Sequence, residues 1–315
     1  MKRRQFVKYL GAGSMLLGGG LLPLPAWASP GRSTRLTILH TNDVHSRVEP
    51  FSEGRYAGQG GAARRAAVIE QIRSQEQHVL LLDAGDIFQG TPYFNVYGGE
   101  VEFKLMSQMG YDAATIGNHD FDAGIDGLEK QLPHADFPFL ISNYDFSDTI
   151  MHGNTQPWKV FRKGPLKIGI FGLGIALEGL VPKALYRNTR YLDPVEKAQE
   201  MIGILRGEMG CDYVICLSHL GYQYRDERIS DIRLARSVSG IDLIVGGHSH
   251  TFLDRPTVCK NPDGDAVLIN QVGWGGLVLG RLDVYFERGK THTCVQCENL
   301  LVGATRWSGS VQANG

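Results

Sequence analysis

The chain has 315 residues, with 32 Lys and Arg against 33 Asp and Glu, and 43% of its residues are hydrophobic. This balance is typical of a globular protein and excludes an intrinsically disordered chain, which combines low hydrophobicity with high net charge. The near-neutral charge provides no basic surface for a nucleic-acid polymer, and only one segment is apolar enough to enter a bilayer.

Residues 1–28 have the pattern of an export signal. Arg3 and Arg4 stand in a basic head, an uncharged stretch follows, and the segment ends in Ala26-Trp27-Ala28. Such a segment is typical of a secretory signal, and its arginine pair resembles the twin-arginine signal that exports folded proteins. An uncleaved membrane anchor is the alternative, because the stretch is about 20 residues long. We expect cleavage after Ala28, a periplasmic location and no stable membrane span in the mature chain.

Short apolar runs alternate with helical patterns over most of the chain. The runs that suit buried strands lie at 36–39, 79–82, 113–116, 139–141, 168–171, 213–217 and 243–245. The helical patterns lie at 62–72, 101–109, 125–132 and 195–209, and the last follows Asp193-Pro194, a helix-start signal. This alternation predicts an α/β fold.

After Gly247 the pattern changes to successive strands at 267–271, 277–286 and 291–302, which we expect to pair antiparallel. No linker or low-complexity segment interrupts residues 35–302. These residues are therefore expected to form one domain, with 303–315 as a C-terminal tail.

Side chains that can bind metals directly follow five of the predicted strands. In α/β sheets, ligands gather beyond the carboxyl ends of the strands, so we expect these five turns to converge. Taken singly, each turn could equally hold a loop carboxylate or an ordinary histidine, and only their shared position indicates a site. The candidate metal ligands are Asp43, His45, Asp86, Asn118, His219, His248 and His250.

This set of ligands predicts two divalent ions. Asp, Asn and His together suit Zn, Mn or Fe. Seven ligands are too many for one tetrahedral ion, but they fit two ions if one carboxylate bridges, and Asp86 is the candidate because it is central in the order. Two ions about 3.5–4 Å apart can clamp an attacking and a leaving oxygen, and they lower the pKa of a bound water to around neutrality.

The motifs resemble those of the calcineurin-like metallophosphoesterases, and most closely the bacterial periplasmic 5′-nucleotidase family. The resemblance covers residues 36–302 and implies a four-layer α/β/β/α sandwich with a two-metal centre at the strand ends. The motifs that carry it, in chain order, are Asn42-Asp43-Val44-His45, Gly85-Asp86-Ile87-Phe88-Gln89-Gly90-Thr91, Gly117-Asn118-His119-Asp120-Phe121-Asp122, Ser218-His219-Leu220-Gly221 and Gly247-His248-Ser249-His250.

The resemblance also implies individual roles. His119 would face the phosphate as a catalytic residue, and Asp122 would orient it through the other ring nitrogen. The implied reaction is attack by a metal-bound hydroxide on a small phosphate monoester, above all a 5′-nucleotide. The implied ligands are Asp43, His45, Asp86 and His250 for the first ion, and Asp86, Asn118, His219 and His248 for the second.

The chain departs from that family in one respect. The family's nucleotidases carry a C-terminal domain that stacks the base, whereas this sequence ends soon after the predicted catalytic domain. We expect either a separately encoded recognition domain or a different substrate. The aromatic residues that could line a substrate pocket, or equally pack in the core, are Phe88, Tyr93, Phe94 and Tyr97.

Other functions stay open beside the monoesterase. One is a phosphodiesterase that acts on 2′,3′-cyclic nucleotides, or a relative that hydrolyses a sulfur-containing group. Another is a non-catalytic metal-binding subunit of a two-chain nucleotidase. The His119–Asp122 pair argues against the binding subunit, because a protein that only binds does not need it.

Overall fold

A computed structural model describes residues 33–287 and 294–303. The predicted export signal at 1–28 and residues 304–315 of the predicted tail lie outside the described residues. None of the helices within the described ranges combines the length and apolarity that a bilayer crossing requires.

Strands and helices alternate through most of the described chain. The strands are β1 Ser33–Thr41, β2 Val79–Asp83, β3 Ala113–Ala114, β4 Tyr144–Asp145, β5 Trp158–Lys163, β6 Leu166–Leu173, β7 Arg190–Tyr191, β8 Tyr213–Ser218, β9 Leu243–Gly246, β10 Thr257–Lys260, β11 Ala266–Asn270, β12 Val278–Glu287, β13 Cys294–Cys297 and β14 Leu300–Leu301. The α-helices are α1 Ala62–Gln75, α2 Pro92–Tyr97, α3 Glu100–Met109, α4 Gly124–Gln131, α5 Lys183–Tyr186, α6 Pro194–Ile202 and α7 Asp231–Ser237. Short 3₁₀ turns span Gly54–Tyr56, His119–Phe121 and Leu132–His134, and a π-helical turn spans Gly203–Glu208.

Two mixed sheets hold most of these strands. The first has the order β13-β12-β1-β2-β3, with β1, β2 and β3 parallel. The second has the order β10-β11-β9-β8-β6-β5, and its central strands β6, β8, β9 and β11 are parallel. The parallel strands end in register, since Thr41 pairs with Asp83 in one sheet and Ser218 with Gly246 in the other.

The two sheets pack face to face, with a cluster of apolar side chains between them. Along β1, Leu36 and Ile38 are fully buried and point toward the second sheet, where they meet residues such as Ile215 and Val245. Burial of each such aliphatic side chain contributes about 1.5–3 kcal/mol. Leu39, which has the opposite parity, points to the outer face of its sheet.

Helices cover both outer faces. Phe103 and Met106 of α3 and Leu128 of α4 pack on the first sheet. Met201 of α6 and Leu234 of α7 pack on the second sheet. The predicted α/β fold, a four-layer α/β/β/α sandwich, is therefore confirmed.

The start of α6 is also as predicted. Pro194 occupies the first turn, and the Asp193 carboxylate accepts hydrogen bonds from the backbone N–H groups of Val195 and Glu196 at 2.8 and 2.9 Å. These bonds satisfy donors that the first helical turn leaves free. The 139–141 run, by contrast, is not a full strand, because Phe139 and Leu140 form only isolated bridges.

The prediction that the strands after Gly247 pair antiparallel with one another is wrong for the first of them. β11 lies in the second sheet, parallel to β9 and antiparallel to β10, whereas β12 lies in the first sheet beside β1. β12 pairs antiparallel with β13 and with β14, which lie in the predicted 291–302 segment, as expected. The reason is that the segment 271–277 crosses from one sheet to the other instead of forming a hairpin.

Hydrogen bonds to the end of β1 hold this crossing segment. The Asn42 side chain accepts from Val272 N–H at 2.9 Å and donates to the Gly273 carbonyl at 2.7 Å. Gly275 N–H donates to the Asp43 carbonyl at 2.7 Å. Gly273 and Gly275 have φ of 74° and 65°, a backbone region that favours glycine.

Candidate metal centre

The loops that follow β1, β2 and β3 of the first sheet meet the loops that follow β8 and β9 of the second sheet. The first two loops are joined directly, since Asp43 N–H donates to the Gly85 carbonyl at 2.9 Å. A Cβ at Gly247 would lie 2.9 Å from the Ala84 carbonyl and from the His219 ring, so this approach of the two sheets requires glycine. All five turns that carry the predicted ligands therefore lie together.

The first group of ligands comes from the turns after β1 and β9. Ligand atoms of Asp43, His45 and His250 all lie within 4.8 Å of one another. His45 Nε2 is 3.0 Å from His250 Nε2, which in turn is 3.4 Å from Asp43 Oδ1. Two ring nitrogens and a carboxylate oxygen thus converge on one point.

The second group comes from the turns after β2, β3, β8 and β9. Ligand atoms of Asp86, His219 and His248 lie within 4.8 Å of one another, and Asn118 Oδ1 is 2.8 Å from His248 Nδ1. Asp86 Oδ2 lies 3.0 Å from His219 Nε2 and 3.9 Å from His45 Nε2, so this carboxylate faces both groups.

The hydrogen bonds of two histidines show that the groups fit cations. Nδ1 of His219 lies 2.7 Å from the Ala84 carbonyl, and Nδ1 of His45 lies 3.2 Å from the Phe88 carbonyl. Because a carbonyl only accepts, we assign the ring proton to Nδ1 in both, which leaves each Nε2 with its lone pair toward the site. His219 Nε2 is buried, and the polar atom that it faces is Asp86 Oδ2 at 3.0 Å. A lone pair that faces a carboxylate repels it unless a proton or a metal ion lies between them, and these N and O donors suit divalent ions.

The charges of the site also favour a bound cation. Burial disfavours a charge on Asp86, but the facing His219 and His45 hold the pKa of this carboxyl below its usual range. Burial also disfavours a charge on His219, but Asp86 and Asp43 outweigh it and raise the pKa of this imidazole to about 10. The carboxylates therefore favour positive charge at the point where the rings converge, which a divalent ion supplies.

The backbone at the ligands is left-handed. The φ angles of Asp43, His45, Asp86, His248 and His250 lie between 50° and 70°, a region that residues other than glycine seldom adopt. Each such residue costs on the order of 1–3 kcal/mol, and such strain is concentrated at functional sites. The surrounding bonds hold these conformations, such as the one from His248 N–H to the Asp43 carboxylate at 3.0 Å.

His119 stands at the rim of the site. Its Nδ1 lies 2.9 Å from Asp122 Oδ2 across one 3₁₀ turn, and this hydrogen bond raises the pKa of the imidazole. Its backbone N–H donates to Asp86 Oδ1 at 2.8 Å, and its ring lies edge-on to His45 at 5.3 Å. With Nδ1 engaged by Asp122, Nε2 is the nitrogen that remains for a substrate.

The structure adds Asp120, which the sequence analysis did not single out. Its buried carboxylate accepts hydrogen bonds from the backbone N–H groups of Gly117, Asp86, Ile87 and Phe88 at 2.7 to 3.1 Å. Asp120 thereby joins the loop of Asp86 to the loop of Asn118 and His119. The signal was present in the Gly-Asn-His-Asp motif, but the sequence alone does not tell which acid of the motif turns inward.

The aromatic residues near the motifs divide between the two predicted roles. Phe88 and Phe94 are buried in the core between the first sheet and its helices. Tyr93 is half-buried and Tyr97 exposed, and their rings are stacked 6.4 Å apart on the surface of α2.

Comparison with known proteins identifies relatives that are all phosphoesterases. Residues 36–252 match the family model described as calcineurin-like phosphoesterase. A snake venom 5′-nucleotidase from Gloydius brevicauda is 38% identical over 295 residues, which cover 87% of this chain and 49% of that protein. A 5′-nucleotidase from Bos taurus is 35% identical over 302 residues, 88% of this chain and 50% of that protein.

A solved structure agrees with these relatives. The crystal structure of a 5′-nucleotidase precursor from Thermus thermophilus superimposes with a TM-score of 0.76 at 35% identity, covering 85% of this chain and 55% of that one. The chain spans about half the length of the curated relatives it matches.

Proposed function

Because the chain belongs to the calcineurin-like phosphoesterase family, we propose that it is a two-metal phosphoesterase that hydrolyses small phosphate monoesters, above all 5′-nucleotides. The observation that carries this proposal is the meeting of two Asp–His groups around Asp86, whose ring nitrogens and carboxylate oxygens lie within 4.8 Å in each group. Such donor sets hold divalent ions.

The residues of the chain have distinct parts in the proposed reaction. Asp86 faces both groups and is the proposed bridging ligand, and Asn118 is the proposed amide ligand of the second ion. The two ions would neutralise charge on the phosphoryl oxygens and make a nucleophile available from water. His119 would stabilise charge on the transferring phosphoryl group or protonate the leaving alkoxide, and Asp122 would hold its ring and its Nδ1 proton.

The choice of 5′-nucleotides rests on the relatives. The matched proteins from Gloydius brevicauda and Bos taurus are described as 5′-nucleotidases, but this chain spans about half of each. We therefore propose that recognition of the nucleoside depends on a C-terminal recognition domain outside this span, which a second polypeptide could supply.

Export is a separate part of the proposal. Arg3 and Arg4 followed by an apolar stretch and Ala26-Trp27-Ala28 support transport of the folded protein by the twin-arginine route to the periplasm. Mass spectrometry of the periplasmic fraction should find a mature N-terminus at Ser29. A protein that keeps residue 1 and stays in the membrane fraction would instead be anchored.

The test of the reaction is a panel of substrates supplied with each metal in turn. Metal-free protein is loaded with Zn²⁺, Mn²⁺ or Fe²⁺ and offered a 5′-nucleotide, a 2′,3′-cyclic nucleotide, a simple aryl phosphate and a sulfur ester. We expect metal-dependent phosphate release from the monoesters. Asp86→Ala is the inactive control, because it removes the carboxylate that faces both groups.

Each other outcome has its own meaning. Preferential turnover of the cyclic nucleotide or the sulfur ester would replace the monoesterase by one of the alternatives predicted from the sequence. A protein that binds two ions but releases nothing from any substrate would be a metal-binding subunit instead of an enzyme.

A further inference from the structure

Trp274 lies beside His250. His250 is the only exposed residue among the candidate ligands, and 41% of its side chain is exposed. The two rings are stacked, with 17° between their planes and 6.0 Å between their centroids. We propose that Trp274 is a positioning residue: its indole ring sets the orientation in which His250 binds the first ion. This inference rests on the proposed metal centre.

His250 differs from the other histidines in how its ring is held. His45 and His219 each direct Nδ1 to a backbone carbonyl. Metal-binding histidines usually donate their second ring N–H in this way, and the partner fixes the ring orientation. Within the described residues, the His250 ring contacts Asp43 and His45 through Nε2 and stacks on Trp274, and none of these contacts is a hydrogen bond of Nδ1. The stack with Trp274 takes the place of that missing hydrogen bond.

Trp274 is itself fixed relative to the first ligand group. The next residue, Gly275, donates its N–H to the Asp43 carbonyl at 2.7 Å. Phe51 packs edge-on against the indole at 5.3 Å, and the Arg47 guanidinium lies 4.2 Å above the Phe51 ring. These contacts attach the indole to the loop after β1. The same loop supplies Asp43 and His45, so all three side chains depend on its position.

The test measures Co²⁺ binding to the metal-free protein, because the visible absorption of Co²⁺ reports the geometry of its ligands. The variants are Trp274→Leu, which removes the aromatic face, and Trp274→Phe, which keeps one. We expect Trp274→Leu to weaken one of the two Co²⁺ sites by about 10–100-fold, the usual effect of losing a residue that orients a ligand. The other site should keep its affinity, and Trp274→Phe should restore most of the loss.

Tryptophan fluorescence provides a second readout, which does not depend on activity. Bound Co²⁺ quenches a tryptophan that lies close to it, so quenching should occur in the unmodified protein and largely disappear in Trp274→Phe. Trp158→Phe is the matched control, because Trp158 lies on β5 at the far edge of the second sheet, and this variant should keep the quenching.

Three results would overturn the inference. They are unchanged Co²⁺ affinity and absorption in Trp274→Leu, equal weakening by Leu and Phe, and full quenching in Trp274→Phe. A protein that binds no Co²⁺ even without a substitution would instead overturn the metal centre on which the proposed function rests.

Discussion

His119 makes two hydrogen bonds, one through its backbone and one through its side chain, and a substitution affects them differently. Its backbone N–H donates to Asp86 Oδ1, whereas its side chain pairs with Asp122. Removing the side chain leaves the first link in place, so the ligand set should survive while the proposed catalytic group is lost.

We therefore expect His119→Ala to bind the same number of ions as the unmodified protein and to lose about 10²–10⁴-fold in kcat. Metal content by elemental analysis and steady-state phosphate release give the two readouts. His152→Ala is the matched control, because His152 is an exposed histidine outside the site. Near-normal turnover in His119→Ala would remove this residue from the mechanism.

The buried carboxylate of Asp120 holds four backbone donors in place, two on each oxygen. In Asp120→Asn, an amide group faces two of these N–H groups, and each unsatisfied buried donor costs about 1–3 kcal/mol. We expect the free energy of unfolding to fall by about 2–5 kcal/mol in urea titrations of the metal-free protein. Asp126→Asn, at an exposed ion pair with Arg187, should change it by less than about 1 kcal/mol.

Secondary structure elements show which parts of the fold the sequence could predict. The strands with continuous apolar runs and the start of α6 followed from periodicity and from the Asp-Pro signal, which are local properties. The placement of β11 and β12 in different sheets did not, because it depends on hydrogen bonds between 272–275 and Asn42 or Asp43 on a distant loop. The short helix α2 and the edge strand β5 were missed because neither has the length or the apolar run that periodicity detects.

The N-terminus of α6 supports a prediction of its own. Asp193→Ala removes two hydrogen bonds to the first turn of the helix, so we expect it to lower the free energy of unfolding by about 1 kcal/mol. Thermal unfolding measures this change. Glu200→Ala, on the same helix but away from its N-terminus, is the control and should differ from the unmodified protein by less than about 0.5 kcal/mol. An equal effect of both substitutions would show that the cap does not contribute.

The candidate ligands could be found from the sequence because the ends of parallel strands meet at one edge, whichever sheet they belong to. The left-handed backbone at Asp43, His45 and His250 could not be found in this way, since no glycine marks these positions. The position of Trp274 beside His250 could not be predicted either, because it depends on the path of the 271–277 segment and not on any sequence pattern around the residue.

Metal ions that bind only the folded protein should stabilise the whole molecule. With free metal at 100 times its dissociation constant, one site adds about 2.7 kcal/mol to the free energy of unfolding. We therefore expect EDTA treatment to lower the melting temperature and the added ion to restore it. In Asp86→Ala the metal-dependent shift should be much smaller, because each proposed site loses the carboxylate that faces both groups. A shift as large as that of the unmodified protein would place the stabilising ion elsewhere.

The proposed centre takes its ligands from both sheets, which are synthesised at different times. Asp43 and His248, which are joined by a hydrogen bond, are 205 positions apart in the chain. At a synthesis rate of about 5–20 residues per second, roughly 10–40 s pass between the two on the ribosome. During that interval the early histidine and carboxylates have no partners from the second sheet. Neither proposed site can therefore be complete before His248 and His250 have been synthesised, and ions bound there would join the first-made part of the domain to the last.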